Sequence, residues 1–141
     1  MKKLLILAAF SPLTFFAQKN ISRVVAKDVI ERGVELHDEK KYAEAIEEYE
    51  KININDTAYA LAQYEMALSH MELEQYDRAA KHYRRAIRLL PNQPKFHRSL
   101  ADAYQKLGKD RAAERTRRHA LSLEQRRYSQ RSIPEVEPGP G

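Results

Sequence analysis

The sequence predicts an all-α protein, an α-solenoid of three stacked antiparallel helix hairpins. Three observations carry that expectation. In residues 76–91, Tyr76, Ala79, Tyr83 and Ala86 fall at steps of three, four and three, so they share one face of a helix. The same pattern stands earlier in the chain as Tyr42, Ala45, Tyr49 and Ile52, and an equal shift forward brings Ala113 and Ala120 into register. A fixed period of roughly 34 residues marks helical hairpins that stack on one another. Composition agrees: with 43% apolar and 32% charged residues, four Gly and no Cys, the chain suits a helical protein and neither a disulfide framework nor a thiolate metal site.

The elements follow in order. Residues 1–17, MKKLLILAAFSPLTFFA, read as a secretory signal peptide, with Lys2 and Lys3 leading a short apolar run and Ala17 and Gln18 flanking the expected cut. Phe15 stands where a small residue is usual. The alternative is an uncleaved anchor, although about 13 apolar-leaning residues fall short of the ~20 that span a bilayer. Residues 18–25 form a polar lead-in. A helix is expected from Ser22, with Ser22 as its N-cap and Val25, Val29, Ile30, Gly33, Val34 and Leu36 on its apolar face. Residues 38–41 make a turn, and residues 42–54 a second helix in which Glu47 supports Lys51 one turn on. Asn55, Asp56 and Thr57 break the chain and cap a third helix over residues 58–73, apolar on nearly all sides and therefore central. After a turn at Glu74 and Gln75 comes the helix of residues 76–90, stopped by Pro91. A fifth helix spans 95–107 and ends at Gly108, a good C-terminal stop. The last begins near Asp110 and runs to about Gln130, and residues 128–141, rich in Pro and Gly, read as a disordered tail.

Charge is split along the chain. Residues 18–77 hold 7 Lys and Arg against 14 Asp and Glu, a net of −7, whereas residues 78–141 hold 16 against 6, a net of +10. Such a split suggests either polarised partners or solvated helix faces that happen to segregate.

Taken at their spacing, these residues resemble the tetratricopeptide repeat (TPR) family. Three repeats are expected, at 26–59, 60–93 and 94–127. The small residue of the first helix is Gly33, Ala67 and Ala101; the turn aromatic is Tyr42 and Tyr76. The alanine of the second helix is Ala45, Ala79 and Ala113, followed by Tyr49 and Tyr83 and then by Ile52, Ala86 and Ala120. Leu100, Ala101, Tyr104 and Gly108 add a close run to the family's first helix. The early Trp is missing, with Val29, Gln63 and His97 in its place, and Asp110 and Arg117 replace the rings of the third repeat. The resemblance implies a right-handed superhelix with a terminal helix that either caps the stack or docks something acidic.

Catalysis is not expected. His37, His70, His82, His97 and His119 show no HxxxH or HExxH spacing, and there is no GxSxG, phosphate-binding glycine loop or cysteine. His70 and His97 read as packed interhelical residues, and no metal or other cofactor is expected. The resemblance instead implies a peptide groove lined by the first helices: Lys27, Ile30, Val34 and His37; then Leu61, Tyr64, Leu68 and Met71; then Lys95, Arg98, Asp102 and Gln105. Its candidate contact residues are Ile30, Val34, Tyr64, Leu68, Met71, Lys95 and Arg98, with Tyr64 and Met71 favoured and with Leu61 and Leu68 assigned to packing. An apolar middle beside a Lys/Arg rim suits a peptide with a hydrophobic anchor and an acidic residue. Of the five places that grip a chaperone's C-terminal carboxylate in some TPRs, Ile30, Val34, Glu65 and Ser99 fill four and only Lys95 fits, so that clamp is absent. A second candidate surface is the basic face Arg111, Arg115, Arg117 and Arg118. The function these features imply is an exported envelope adaptor, its signal peptide cleaved, that works in the periplasm with a protein or peptide partner. The alternatives are a basic helix presented to anionic lipid or nucleic acid, and self-assembly of acidic on basic halves. The export signal argues against nucleic acid, and nothing argues for a small-molecule substrate.

Overall fold

In a computed structural model, residues 12–131 are described, with side chains from residue 25 onward. The chain forms six helices: α1 (Pro12–Asp38), α2 (Tyr42–Tyr49), α3 (Tyr59–Glu72), α4 (Tyr76–Leu89), α5 (Pro94–Lys106) and α6 (Asp110–Arg131). No strand occurs among the described residues. Each helix packs chiefly on its neighbours in the chain, the quasi-one-dimensional arrangement of a solenoid, with hairpins α1–α2, α3–α4 and α5–α6.

The periodic small residues explain the close packing. Ala45, Ala67, Ala79, Ala86, Ala101 and Ala120 are fully buried, and Ala113 nearly so. Gly33 lies against the ring of Tyr49, where a Cβ would come within 2.6 Å of Tyr49 Cζ. Two apolar clusters result. One holds Ala45, Tyr49, Ile52, Ala62 and Met66, with Val29, Ile30 and Leu36 of α1 packed against them, and the other joins α3, α4 and α5 around Tyr64, Tyr83, Phe96 and Leu100.

The three hairpin turns share one construction. Lys40, Glu74 and Gly108 occupy the same place in successive hairpins, and all have positive φ, at 62°, 57° and 68°. Behind each, the next amide reaches back five residues: Lys41 to Leu36, Gln75 to His70 and Lys109 to Tyr104, each at 2.9 Å. The amides of Lys40, Glu74 and Gly108 themselves reach back three, to His37, Met71 and Gln105. This is the Schellman pattern, which satisfies carbonyls left open at a helix end.

Several expectations are corrected. Helix α1 begins at Pro12, so Ser22 and the lead-in 18–25 lie within a helix; Ser22 is no N-cap, because helix surrounds it on both sides. Helix α2 stops at Tyr49 instead of continuing to residue 54. Asn53 and Asp56 turn the chain locally: Asn53 Oδ1 accepts from the Asn55 amide at 2.9 Å, and Asp56 Oδ1 from the Ala58 amide at 2.8 Å. Lys51 then sits beyond the helix end and pairs with Glu48 rather than Glu47. Residues 128–131 are helical, as the last turn of α6. Residues 1–11 of the expected signal peptide and 132–141 of the expected tail lie outside the described residues. Ala17 and Gln18 fall on α1. No helix among the described residues is long and apolar enough to cross a membrane.

Candidate functional site

The first helices α1, α3 and α5 carry the groove positions. Ile30 packs on the first cluster and Leu61, Leu68 and Met71 on the second, each only partly buried. Val34 is half-buried as well, so Ile30, Val34, Leu68 and Met71 keep some apolar surface for a partner. Tyr64 does not. Its ring is buried, stacked on Phe96 with centroids 4.6 Å apart, and its hydroxyl lies 3.3 Å from Ser99 Oγ. A residue expected to be open for contact is thus part of the α3–α5 joint. The Lys95 ammonium sits 4.6 Å above the same ring, where the π face attracts it. Lys27 pairs with Glu31, and His37 Nδ1 lies 3.0 Å from Ser69 Oγ, which ties α1 to α3.

Beside Lys95 stands Glu65, on the half-exposed side of α3. Burial pushes its carboxyl above the usual range, nearby Lys95 draws it back, and Asp38 raises it further. Glu65 therefore places an acidic, poorly solvated group in the groove.

Arg98 is not a free rim residue. It pairs with Glu124 of α6, while Arg117 reaches Asp102 at 3.3 Å and Gln105 at 2.9 Å. The groove positions of α5 are thereby tied to α6, and the basic face is divided. Arg117 is held in this network and Arg118 pairs with Glu114 at 3.4 Å, whereas Arg111 and Arg115 have no ion pair among the described residues.

The histidines pack as helix-joining residues. His70 and His97 are buried. His70 Nδ1–H donates to Gln75 Oε1 at 2.8 Å, and His97 Nε2–H to the Pro91 carbonyl at 2.8 Å. His82 Nδ1–H donates to Gln63 Oε1 at 2.9 Å and its ring stacks on His70. Burial, then the charges of His70, Arg85, Lys81 and Arg78, push His82 down to about 4. Burial also lowers His70, partly offset by its bond to Gln75. No group of acidic, His or Cys side chains among the described residues could hold a metal ion.

Sequence reasoning did not separate free from engaged arginines, since Arg98 and Arg117 find their partners on the facing helix of the hairpin, far along the chain. Nor did it single out Thr116, which with Arg84 and Arg88 lines a cleft between α4 and α6.

Known proteins give the arrangement a context. Residues 67–108 match the TPR repeat family. The chain is 32% identical over 80 residues to the photosystem I assembly protein Ycf3 of Synechococcus sp. (strain CC9605), covering 55% of this chain and 46% of that protein, so the match spans about half the relative's length. Its structure is similar to the second TPR of Spaghetti (RPAP3) bound to the HSP90 peptide SRMEEVD, with a TM-score of 0.69 and 27% identity over 76% of this chain and 98% of that one. It is likewise similar to the second TPR domain of human RPAP3 in complex with the HSP70 peptide SGPTIEEVD, with a TM-score of 0.66 and 29% identity over 75% of this chain and 86% of that one. The six helices thus form a solenoid of the TPR helical-hairpin fold, within which residues 67–108 match the TPR repeat model.

Proposed function

We propose that this chain is a non-catalytic TPR scaffold that holds a protein partner by a peptide segment laid along α1, α3 and α5, and that it works after export, in the periplasm of a bacterial envelope. The observation that carries the binding reading is the groove itself: partly exposed Ile30, Val34, Leu68 and Met71 beside Lys95, in a fold whose RPAP3 neighbours hold peptides. The export reading rests on residues 1–17.

The peptide differs in kind from those of the neighbours. Ile30, Val34 and Glu65 occupy places where a carboxylate clamp needs donors, and Ser99 is turned to Tyr64. Glu65 would repel a terminal carboxylate in a poorly solvated site. The ligand that fits is an internal segment with an apolar anchor laid against Ile30, Val34, Leu68 and Met71.

Site-specific photo-crosslinking in cells tests this. Crosslinkers at Met71 and Val34 are expected to capture one discrete protein, and SRMEEVD is expected to show no saturable binding to the full chain. Capture only from Arg111 and Arg115, in vesicle-bound protein, would favour the basic face and anionic lipid instead. Mass spectrometry of the cellular protein tests export: a mature form beginning at Gln18 is expected, and a cytosolic form retaining Met1 would overturn it.

A further inference from the structure

The second helices α4 and α6, with α5 beneath, border an open cleft of about 480 Å³ distinct from the first-helix groove. Ile87, Leu100, Tyr104 and Ala112 supply an apolar floor, and Arg84, Arg88 and Arg115 stand at its walls with His97 and His119. The two imidazoles meet edge to face, 4.7 Å between centroids. No carboxylate lines the cleft. The three arginines are exposed and make no ion pair or hydrogen bond among the described residues.

An internal comparison shows why the space exists. Shifted back by one repeat, Thr116 becomes His82, Tyr104 becomes His70 and His97 becomes Gln63. At that earlier joint His82 fills the gap, stacked on His70 at 5.1 Å and bonded to Gln63. Thr116 is shorter, and its hydroxyl turns back to the Ala112 carbonyl at 2.8 Å. The two α4 charges are particular to the later joint, because Glu50 and Ile54 stand at the places of Arg84 and Arg88, whereas Lys81 and Arg85 already stand at those of Arg115 and His119.

We propose that this cleft binds a small soluble ligand bearing at least two adjacent phosphate charges. Three guanidiniums from the two walls of one cleft favour an anion between them, and their planar forks match phosphate oxygens two at a time. The volume lies in the range of small-ligand pockets, ~300–1,000 Å³, and the apolar floor gives room for an organic body behind the phosphates.

Calorimetric titration of the full chain with pyrophosphate, at fixed ionic strength, tests the assignment. Saturable one-to-one binding is expected, weakened at least about tenfold by Arg84→Gln with Arg115→Gln, both exposed positions at which the circular dichroism spectrum should not change. Thr116→His keeps every arginine but fills the cleft, and is expected to weaken pyrophosphate binding to a similar degree. Arg126→Gln with Arg127→Gln, away from the cleft, should leave it unchanged. Absence of saturable binding would overturn the proposal, as would equal binding in a folded Thr116→His variant or equal loss in the Arg126 and Arg127 control. Binding of anionic phospholipid vesicles without binding of pyrophosphate would also overturn it, assigning these charges to a membrane surface.

Discussion

Lys40 and Glu74 occupy the same left-handed turn position as Gly108 but carry a Cβ that crowds the backbone there. Both side chains are exposed, and the Schellman bonds here come from the backbone amide, which any residue but proline can donate. Glu74→Gly and Lys40→Gly are therefore each expected to stabilise the fold by about 0.5–1 kcal/mol, because relief of the left-handed strain outweighs the added freedom of the unfolded glycine; urea unfolding midpoints would show it, and a loss of stability would refute it. Gly33 presents the opposite case. Alanine gains about 1 kcal/mol of helix propensity over glycine, but a Cβ there overlaps the Tyr49 ring, which is buried and cannot swing away. Overpacking of that kind costs about 1–3 kcal/mol, so the clash wins and Gly33→Ala should lower the thermal midpoint. The residue scale also carries a pH response. His82 titrates near 4 in the folded chain against 6.5 when free, so as pH falls the unfolded chain takes the proton first. Stability is full above 6.5, declines as pH drops toward about 4, and falls no further from this group below that. With about 1.36 kcal/mol per unit and partial solvent screening, the loss is roughly 2–3 kcal/mol. Unfolding curves across that window should show wild type losing about that much more than His82→Gln; parallel losses would exclude His82 as the source.

At the scale of the helix, α4 bears the densest use of the repeating stripe. Ala79, Tyr83 and Ala86 are buried, and Tyr83 packs near Tyr64 with 5.6 Å between ring centres. Tyr83→Ala is expected to cost about 3–5 kcal/mol, the cost of removing a large aromatic from a core, and with neighbour-only packing the whole array should unfold as one; a change of a few tenths would mean the stripe does not face the core. That stripe is legible in sequence because it depends on spacing alone: small residues recurring at the repeat period must lie where helices approach. The turns at Glu74 and Gly108 are legible for the same reason, through the absence of apolar residues and the presence of glycine. Other features are not. The early end of α2 depends on Asn53 and Asp56 bonding their own backbone against a continuing helical pattern, a competition whose winner the pattern does not reveal. The burial of Tyr64 depends on Phe96, which arrives above it from the next hairpin. Groove and core positions alternate on α3 too closely for periodicity to separate them, so the family resemblance places Tyr64 at the groove surface with Met71, although only Met71 keeps part of its side chain exposed.

For the molecule as a whole, the decisive contrast lies between successive hairpins. Where the second hairpin offers Tyr64, Leu68, Met71 and Tyr83 toward α5, the equivalent positions of the third are Arg98, Asp102, Gln105 and Arg117. These are not left to solvent singly. Arg117 binds both Asp102 and Gln105, and Arg98 pairs with Glu124, so the outer face of α5 and α6 is closed by its own polar network. Each such exposed pair contributes little stability, about 0–1 kcal/mol, so the network's effect is on association: a further hairpin or a second copy would have to strip water from polar groups already engaged with one another. A repeat array whose terminal face is polar resists stacking end to end, which weighs against joining copies through this face even though the acidic and basic halves attract. Restoring the inner pattern should remove that resistance. The triple variant Arg98→Tyr, Asp102→Leu, Arg117→Tyr presents the aromatic and aliphatic surface that α5 covers in the hairpin before, and is expected to self-associate, its mass by light scattering rising with concentration above that of wild type at both low and high salt. The same mass for variant and wild type at every concentration would show that the polar face is not what limits assembly.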